Sequence, residues 1–107
     1  MKLIISAQDP SLESSVDRRF GRCTWLILFD TETNQWEAFQ NPGVSQSGGA
    51  GVAAAQFVVD KGADVVLSGD FGPNASRAFQ AANIGMQRFT DSTTTVQEAV
   101  NQFKYVK

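Results

Sequence analysis

Histidine is absent from this 107-residue chain, and cysteine occurs once, at Cys23. Without histidine there is no Ser-His-Asp or Cys-His catalysis and no His-based zinc site. One thiol can neither close an internal disulfide nor supply, by itself, a four-cysteine zinc or iron–sulfur site. A soft metal held here is therefore shared between chains or arrives with ligands of its own. A lone cysteine also suits a reducing compartment, so a cytoplasmic location is expected. No apolar run approaches the roughly 20 residues that span a bilayer. Only three apolar residues separate Lys2 from Ser6, which is no signal-peptide core. Positive charge is scarce: nine Lys and Arg face eleven Asp and Glu, for a net charge of −2. The isoelectric point near 4.9 argues against a nucleic-acid binder, which needs a basic face. A hydrophobic content of 42% and a mean hydropathy of −0.19 are those of an ordinary soluble protein. The length gives room for one core, so residues 1–107 are expected to form a single domain.

Against this scarcity of positive charge, Arg18-Arg19-Phe20-Gly21-Arg22-Cys23 gathers three guanidinium groups and the only thiol into six residues. A guanidinium is always protonated and offers a planar fork of donors, suited to an anion with several acceptor atoms. A thiolate is a soft metal ligand, and neighbouring arginines ease its ionisation. The segment thus points to an anionic ligand that can contain metal. The plain alternative is an Arg-rich turn that solvates a strand end, with a half-buried Cys23 behind it.

Lys2–Ser6 reads as a first strand buried on both faces, followed by an irregular polar stretch over Asp9–Arg22. Thr24–Asp30 and Trp36–Gln40 read as a hairpin joined by the polar turn Thr31–Gln35, which could make Trp25 and Trp36 cross-strand neighbours. A glycine-rich loop, Ser47-Gly48-Gly49-Ala50-Gly51, runs into an Ala-rich helix over Val52–Lys61 that Gly62 should stop. Ala63–Ser68 is a fourth strand. The loop Gly69–Asn74 follows, and Pro73 is set to start a helix that ends near Ala82 or Asn83. Ile84–Phe89 is a fifth strand, and Val96–Phe103 a third helix, with candidate N-caps over Ser92–Thr95. The order β-β-β-α-β-α-β-α makes strands four and five parallel through a right-handed crossover.

If strand one is parallel to strand four, four loops meet outside the strands' carboxyl ends, where open α/β sheets bind ligands. They are Ala7–Cys23, the glycine loop with Gly48, Gly49 and Gly51, the Gly69–Asn74 loop with Gly72, and Thr90–Thr94. The two glycine-led helix starts present unpaired N–H groups and partial positive charge to an anion. Gly-Gly-Ala-Gly matches neither a P-loop nor a dinucleotide fingerprint, and it serves equally for chain reversal and close packing. Of Asp30, Asp64 and Asp70, only Asp70 falls at this edge, so no carboxylate set converges for two-metal hydrolysis.

Phe20-Gly21-Arg22-Cys23, Gly49-Ala50-Gly51, Gly72-Pro73-Asn74-Ala75, Asn83-Ile84-Gly85 and Thr95-Val96-Gln97-Glu98-Ala99, in this order, resemble the dinitrogenase iron–molybdenum cofactor biosynthesis family over nearly the whole chain. That resemblance implies a ribonuclease H-like α/β fold: a five-stranded mixed sheet of order 3-2-1-4-5, with strand two antiparallel, and three helices. It also implies a non-enzymatic carrier for a preassembled anionic metal–sulfur cluster, of iron–molybdenum type or with related molybdenum, iron or copper content. Arg18, Arg19 and Arg22 would offset the cluster's charge. Backbone N–H groups around Phe20, Gly21, Gly48, Gly49, Gly51 and Gly72 would bond its sulfurs, and Cys23 could ligate metal directly. Cofactor donor and acceptor proteins are the expected partners, with neither nucleic acid nor membrane. Many members show His-Phe-Gly-Arg where this chain has Arg19-Phe20-Gly21-Arg22. Either Cys23 replaces that histidine, or binding is electrostatic, or the chain is a regulatory or protein-interaction module that keeps the fold without a cluster.

Overall fold

The apolar first run is the centre of the sheet. A computed structural model describes residues 1–45, 49–89 and 94–106, and in it β1 (Lys2–Ala7) is buried from Leu3 to Ala7. Both faces are covered. Ile4, Leu26 and Val66 point to one core, while Leu3, Ile5, Ile27 and Leu67 point to the other. Such period-two division of a continuous apolar run is what a strand between two layers requires.

β2 (Trp25–Asp30) lies antiparallel to β1 and to β3 (Trp36–Gln40), whereas β4 (Val65–Ser68) is parallel to β1 and to β5 (Gly85–Arg88). The order β3-β2-β1-β4-β5 makes this the five-stranded mixed sheet that the resemblance implied, in a ribonuclease H-like arrangement. α1 (Ala50–Asp60) and α2 (Gly72–Ala81) cover one face through Ala54, Ala55, Val58, Ala75 and Phe79. α3 (Val96–Val106) covers the other through Val96, Ala99, Val100 and Phe103. No helix among the described residues is long and apolar enough to cross a membrane.

The helix ends follow the punctuation in the sequence. Gly62 and Asn83 take left-handed φ of 69° and 58°. Behind them Ala63 N–H bonds Val58 O and Ile84 N–H bonds Phe79 O, the six-residue closure of a Schellman turn. α3 opens with a reciprocal cap: Glu98 N–H donates to Thr95 Oγ1, and Thr95 N–H donates to Glu98 Oε1. The candidate caps Ser92 and Thr93 lie outside the described residues, as does Gly48.

The structure departs from expectation at several places. α1 and α2 begin at Ala50 and Gly72, ahead of the predicted Val52 and Pro73, because backbone bonds start before the apolar spacing does. Two 3₁₀ turns, Phe20–Arg22 and Pro42–Ser45, occupy stretches with no periodic pattern. Trp25 and Trp36 are not cross-strand neighbours: the register pairs Trp25 with Gln40 and Phe29 with Trp36, setting the two indoles at opposite ends of the hairpin.

Candidate functional site

The carboxyl ends of β1 and β4 lie side by side, and the chain leaving β1 is stitched both back to β1 and across to the chain leaving β4. Asp17 N–H donates to Ser6 O, and Phe20 N–H donates to Asp70 O. Beneath them the buried Ser6 and Ser68 hydroxyls share a hydrogen bond of 2.8 Å, and Ser6 also reaches Asp17 O. Arg19 and Asp70 pair in parallel as an isolated bridge. Gly69 permits this approach: a Cβ there would stand 2.8 Å from Arg18 Cα and 2.9 Å from Arg18 Cβ. Val16 N–H bonds Thr94 O, bringing the start of α3 to the same edge. Three of the four expected loops thus meet at described residues. The fourth, the glycine loop, contributes Gly51.

Two open grooves flank the Arg19–Asp70 bridge. One, of about 690 Å³, is lined by Gln8, Val16, Asp17, Arg18, Arg19, Thr24 and Asp70. The second, of about 310 Å³, runs over Arg19–Arg22, Gly51 and the start of α2 from Asp70 to Ala75. Arg19 and Asp70 belong to both, Arg18 to the first and Arg22 to the second. All three arginines are exposed. Arg19 is partly tied down: its Nε lies 3.5 Å from Asp17 Oδ1, the oxygen that also accepts the Arg19 backbone N–H at 2.9 Å. Arg18 and Arg22 close no ion pair among the described residues. Gly49 caps α1 and Gly72 opens α2, both at left-handed φ, 74° and 73°. Each leaves first-turn N–H groups facing out, as a helix start does. Asp30 pairs with Lys2, and the Asp64 carboxylate takes the Lys2 backbone N–H, so both sit at the far edge of the sheet.

Phe20 and Cys23 have no exposed surface. Phe20 packs edge-on against Phe79 at 5.3 Å and lies 6.1 Å from Phe71, which makes it the floor under the arginines. The Cys23 thiol donates to Phe20 O at 3.2 Å. Burial pushes this thiol up from the ordinary 9.0 to about 12; the Asn41 amide draws it down and the Asp17 carboxylate raises it further. The expectation that adjacent arginines ease its ionisation is therefore corrected. The guanidiniums stand in solvent, while the sulfur lies behind the turn in low dielectric, where a thiolate is penalised. Among the described residues, no three His, Cys, Asp or Glu side chains gather as metal ligands.

Asn41 and Asp17 escaped the sequence reading. The buried Asn41 amide donates to Cys23 O at 2.9 Å and to Phe20 O at 3.2 Å, lies 3.4 Å from Cys23 Sγ, and its oxygen accepts the Gly43 N–H. It clamps the Phe20–Arg22 turn to the chain that leads into α1. The only local signal was its place before Pro42-Gly43. Asp17 was legible only as an acidic residue beside Arg18 and Arg19.

The raised thiol has a testable consequence. Folding favours the neutral form, so its contribution to stability is complete below pH 9 and is lost as pH rises through about 12. Native protein should resist iodoacetamide at pH 8, and labelling should appear only with denaturant. The alkaline loss of stability should be shallower in Cys23→Ala than in the parent chain. Fast labelling of the folded protein would show that the thiol is open.

The family described as dinitrogenase iron-molybdenum cofactor matches residues 1–105. The apo form of the orange protein from Desulfovibrio gigas is 36% identical over 98% of this chain and 88% of that one, with a TM-score of 0.92. A provisionally assigned NifB protein from Thermotoga, solved by NMR, is 31% identical over 97% of this chain and 87% of its own, with a TM-score of 0.83. The crystal structure of a third protein, 23% identical at a TM-score of 0.82, shares the fold. No protein of curated function matches the chain.

Proposed function

The chain belongs to the dinitrogenase iron–molybdenum cofactor family, and from that premise we propose that it is a non-enzymatic cytoplasmic carrier of an anionic, preassembled metal–sulfur cluster. The observation that carries this reading is the placing of Arg19 and Arg22 around the first turn of α2 and beside Gly51 of α1, with Arg18 lining the adjoining groove across the Arg19–Asp70 bridge. Such a donor set suits sulfide and other diffuse anions. Guanidinium forks and outward N–H groups bond the ligand's rim, and no deprotonated thiol is required. With Cys23 buried and neutral, the holding force is electrostatic, and Cys23, Phe20 and Asn41 shape the turn that carries the arginines. Arg19, in the place of the family's usual histidine, then supplies charge instead of a metal bond. A cargo held this way exchanges readily, as transfer between a donor and an acceptor protein needs.

The test is anaerobic reconstitution. Full-length protein is offered tetrathiomolybdate, alone and with iron(II) or copper(I), then gel-filtered and assayed for metals and visible absorption. The carrier reading expects charge-transfer bands that co-elute with the protein at a defined stoichiometry and fade as salt is raised. A colourless protein under every condition would leave the regulatory-module reading in its place.

A further inference from the structure

A carboxylate in the middle of an anion site is chemically out of place, and Asp70 is such a group. It is exposed and lines both grooves, between Arg19 on one side and the start of α2 on the other. The second carboxylate at this edge, Asp17, is buried and committed to the Arg19 backbone and side chain. Asp70 is not committed in this way. No basic side chain among the described residues closes on it to ion-pair distance. Among the described residues its carboxylate accepts one hydrogen bond, a long one from Gly72 N–H to Oδ1 at 3.4 Å, and Oδ2 has no partner. If Asp70 served only to balance the arginines, one of them would be paired with it.

The rest of the groove is short of one kind of donor, and this group supplies it. The chain has no histidine, its only thiol is buried, and the remaining side-chain oxygens of the larger groove, on Gln8 and Thr24, are neutral. A metal–sulfur anion held only by guanidiniums and N–H groups is gripped through its sulfurs, and any metal with an open position is left to solvent. Among the residues that line the two grooves, Asp70 is the one exposed carboxylate.

We propose that Asp70 is a direct protein ligand to an open metal position on the cargo, and that it selects clusters presenting iron over those presenting copper(I). This rests on the carrier reading above. A carboxylate oxygen is a hard donor, matched to iron and poorly matched to soft copper(I). The step is a ligand exchange: one Asp70 oxygen replaces one solvent molecule on the metal, with no change of oxidation state and no proton transferred. Oδ1 keeps the Gly72 N–H, so the carboxylate is steered without being used up.

Asp70→Asn isolates this role, because the amide oxygen retains the Gly72 bond while charge and ligand strength are lost. Binding of three probes would be compared in both proteins: tetrathiomolybdate alone, a preformed iron–thiomolybdate anion, and its copper(I) counterpart. The expected result is that the Asp70→Asn substitution weakens binding of the iron-bearing anion about tenfold or more. Tetrathiomolybdate, whose metal has no open position, should bind as well or better once the negative charge is gone. The copper(I) counterpart should lose little affinity in the variant, because copper(I) gains little from a carboxylate. Tighter binding of all three probes to the variant would overturn the inference and make Asp70 merely repulsive. So would a parent protein that takes iron and copper forms equally. Failure of the parent protein to bind any probe would instead defeat the carrier reading itself.

Discussion

Replacing Arg18, Arg19 and Arg22 together with glutamine should lower affinity for a thiomolybdate anion by on the order of 100-fold. Each exposed guanidinium–anion contact is worth about 1 kcal/mol in water, and three such losses compound to that ratio. The fold should survive. Arg18 and Arg22 have no ion-pair partner among the described residues to lose. Arg19 gives up a 3.5 Å contact to Asp17, but its backbone N–H still satisfies the same oxygen. Urea unfolding should therefore move by no more than about 1 kcal/mol, while isothermal titration reports the loss of binding. Two controls sharpen the result. Lysine at all three positions should restore part of the affinity, since it keeps charge but not the planar fork. The dependence of affinity on salt should flatten in the glutamine variant. Parent-like affinity in that variant would remove electrostatics as the holding force.

Phe20→Ala should have the largest effect on stability, about 3–5 kcal/mol. Its ring is wholly buried and lies against Phe71 and Phe79, which form an edge-on pair of their own at 6.2 Å and 90°. Truncation leaves a cavity beneath the turn that carries Arg19 and Arg22. In a 107-residue chain such a loss is a large part of the whole stability. The urea midpoint measures it. Phe20→Leu separates packing from recognition: it should recover part of the stability and bind thiomolybdate with nearly parent affinity, because the ring faces the core. A leucine variant that is stable but no longer binds would give the ring a direct part in recognition.

The two substitutions show which parts of this protein are written locally. Element order, sheet direction and both Schellman stops follow from apolar period, Gly62, Asn83 and Pro73, each acting within a few residues. The meeting of the Arg loop with the Gly69–Asn74 loop follows from strand direction alone. The state of Cys23 does not. Burial suppresses its ionisation, and the groups that partly offset this, Asn41 18 residues away and the Ala7 backbone on β1, come from distant parts of the chain. No six-residue window contains those partners, so Arg-Cys proximity suggested an easily ionised thiol. The Arg19 contact to Asp17 is close in sequence but depends on a loop conformation without periodicity, and the Trp25 and Trp36 register is set by the turn length.

The contact between Gly69 and Arg18 bears on how such a protein can change. Any side chain at position 69 would press on the Arg18 backbone, so a saturation library there should return glycine almost alone. The side chains of Arg18, Arg19 and Arg22 stand in open solvent, and variation there disturbs little packing. Geometry and chemistry are therefore inherited separately. On the carrier reading proposed above, lineages are free to trade one cargo for another at the arginine positions, while Gly69, with no side chain to alter, holds the Arg18 backbone in place.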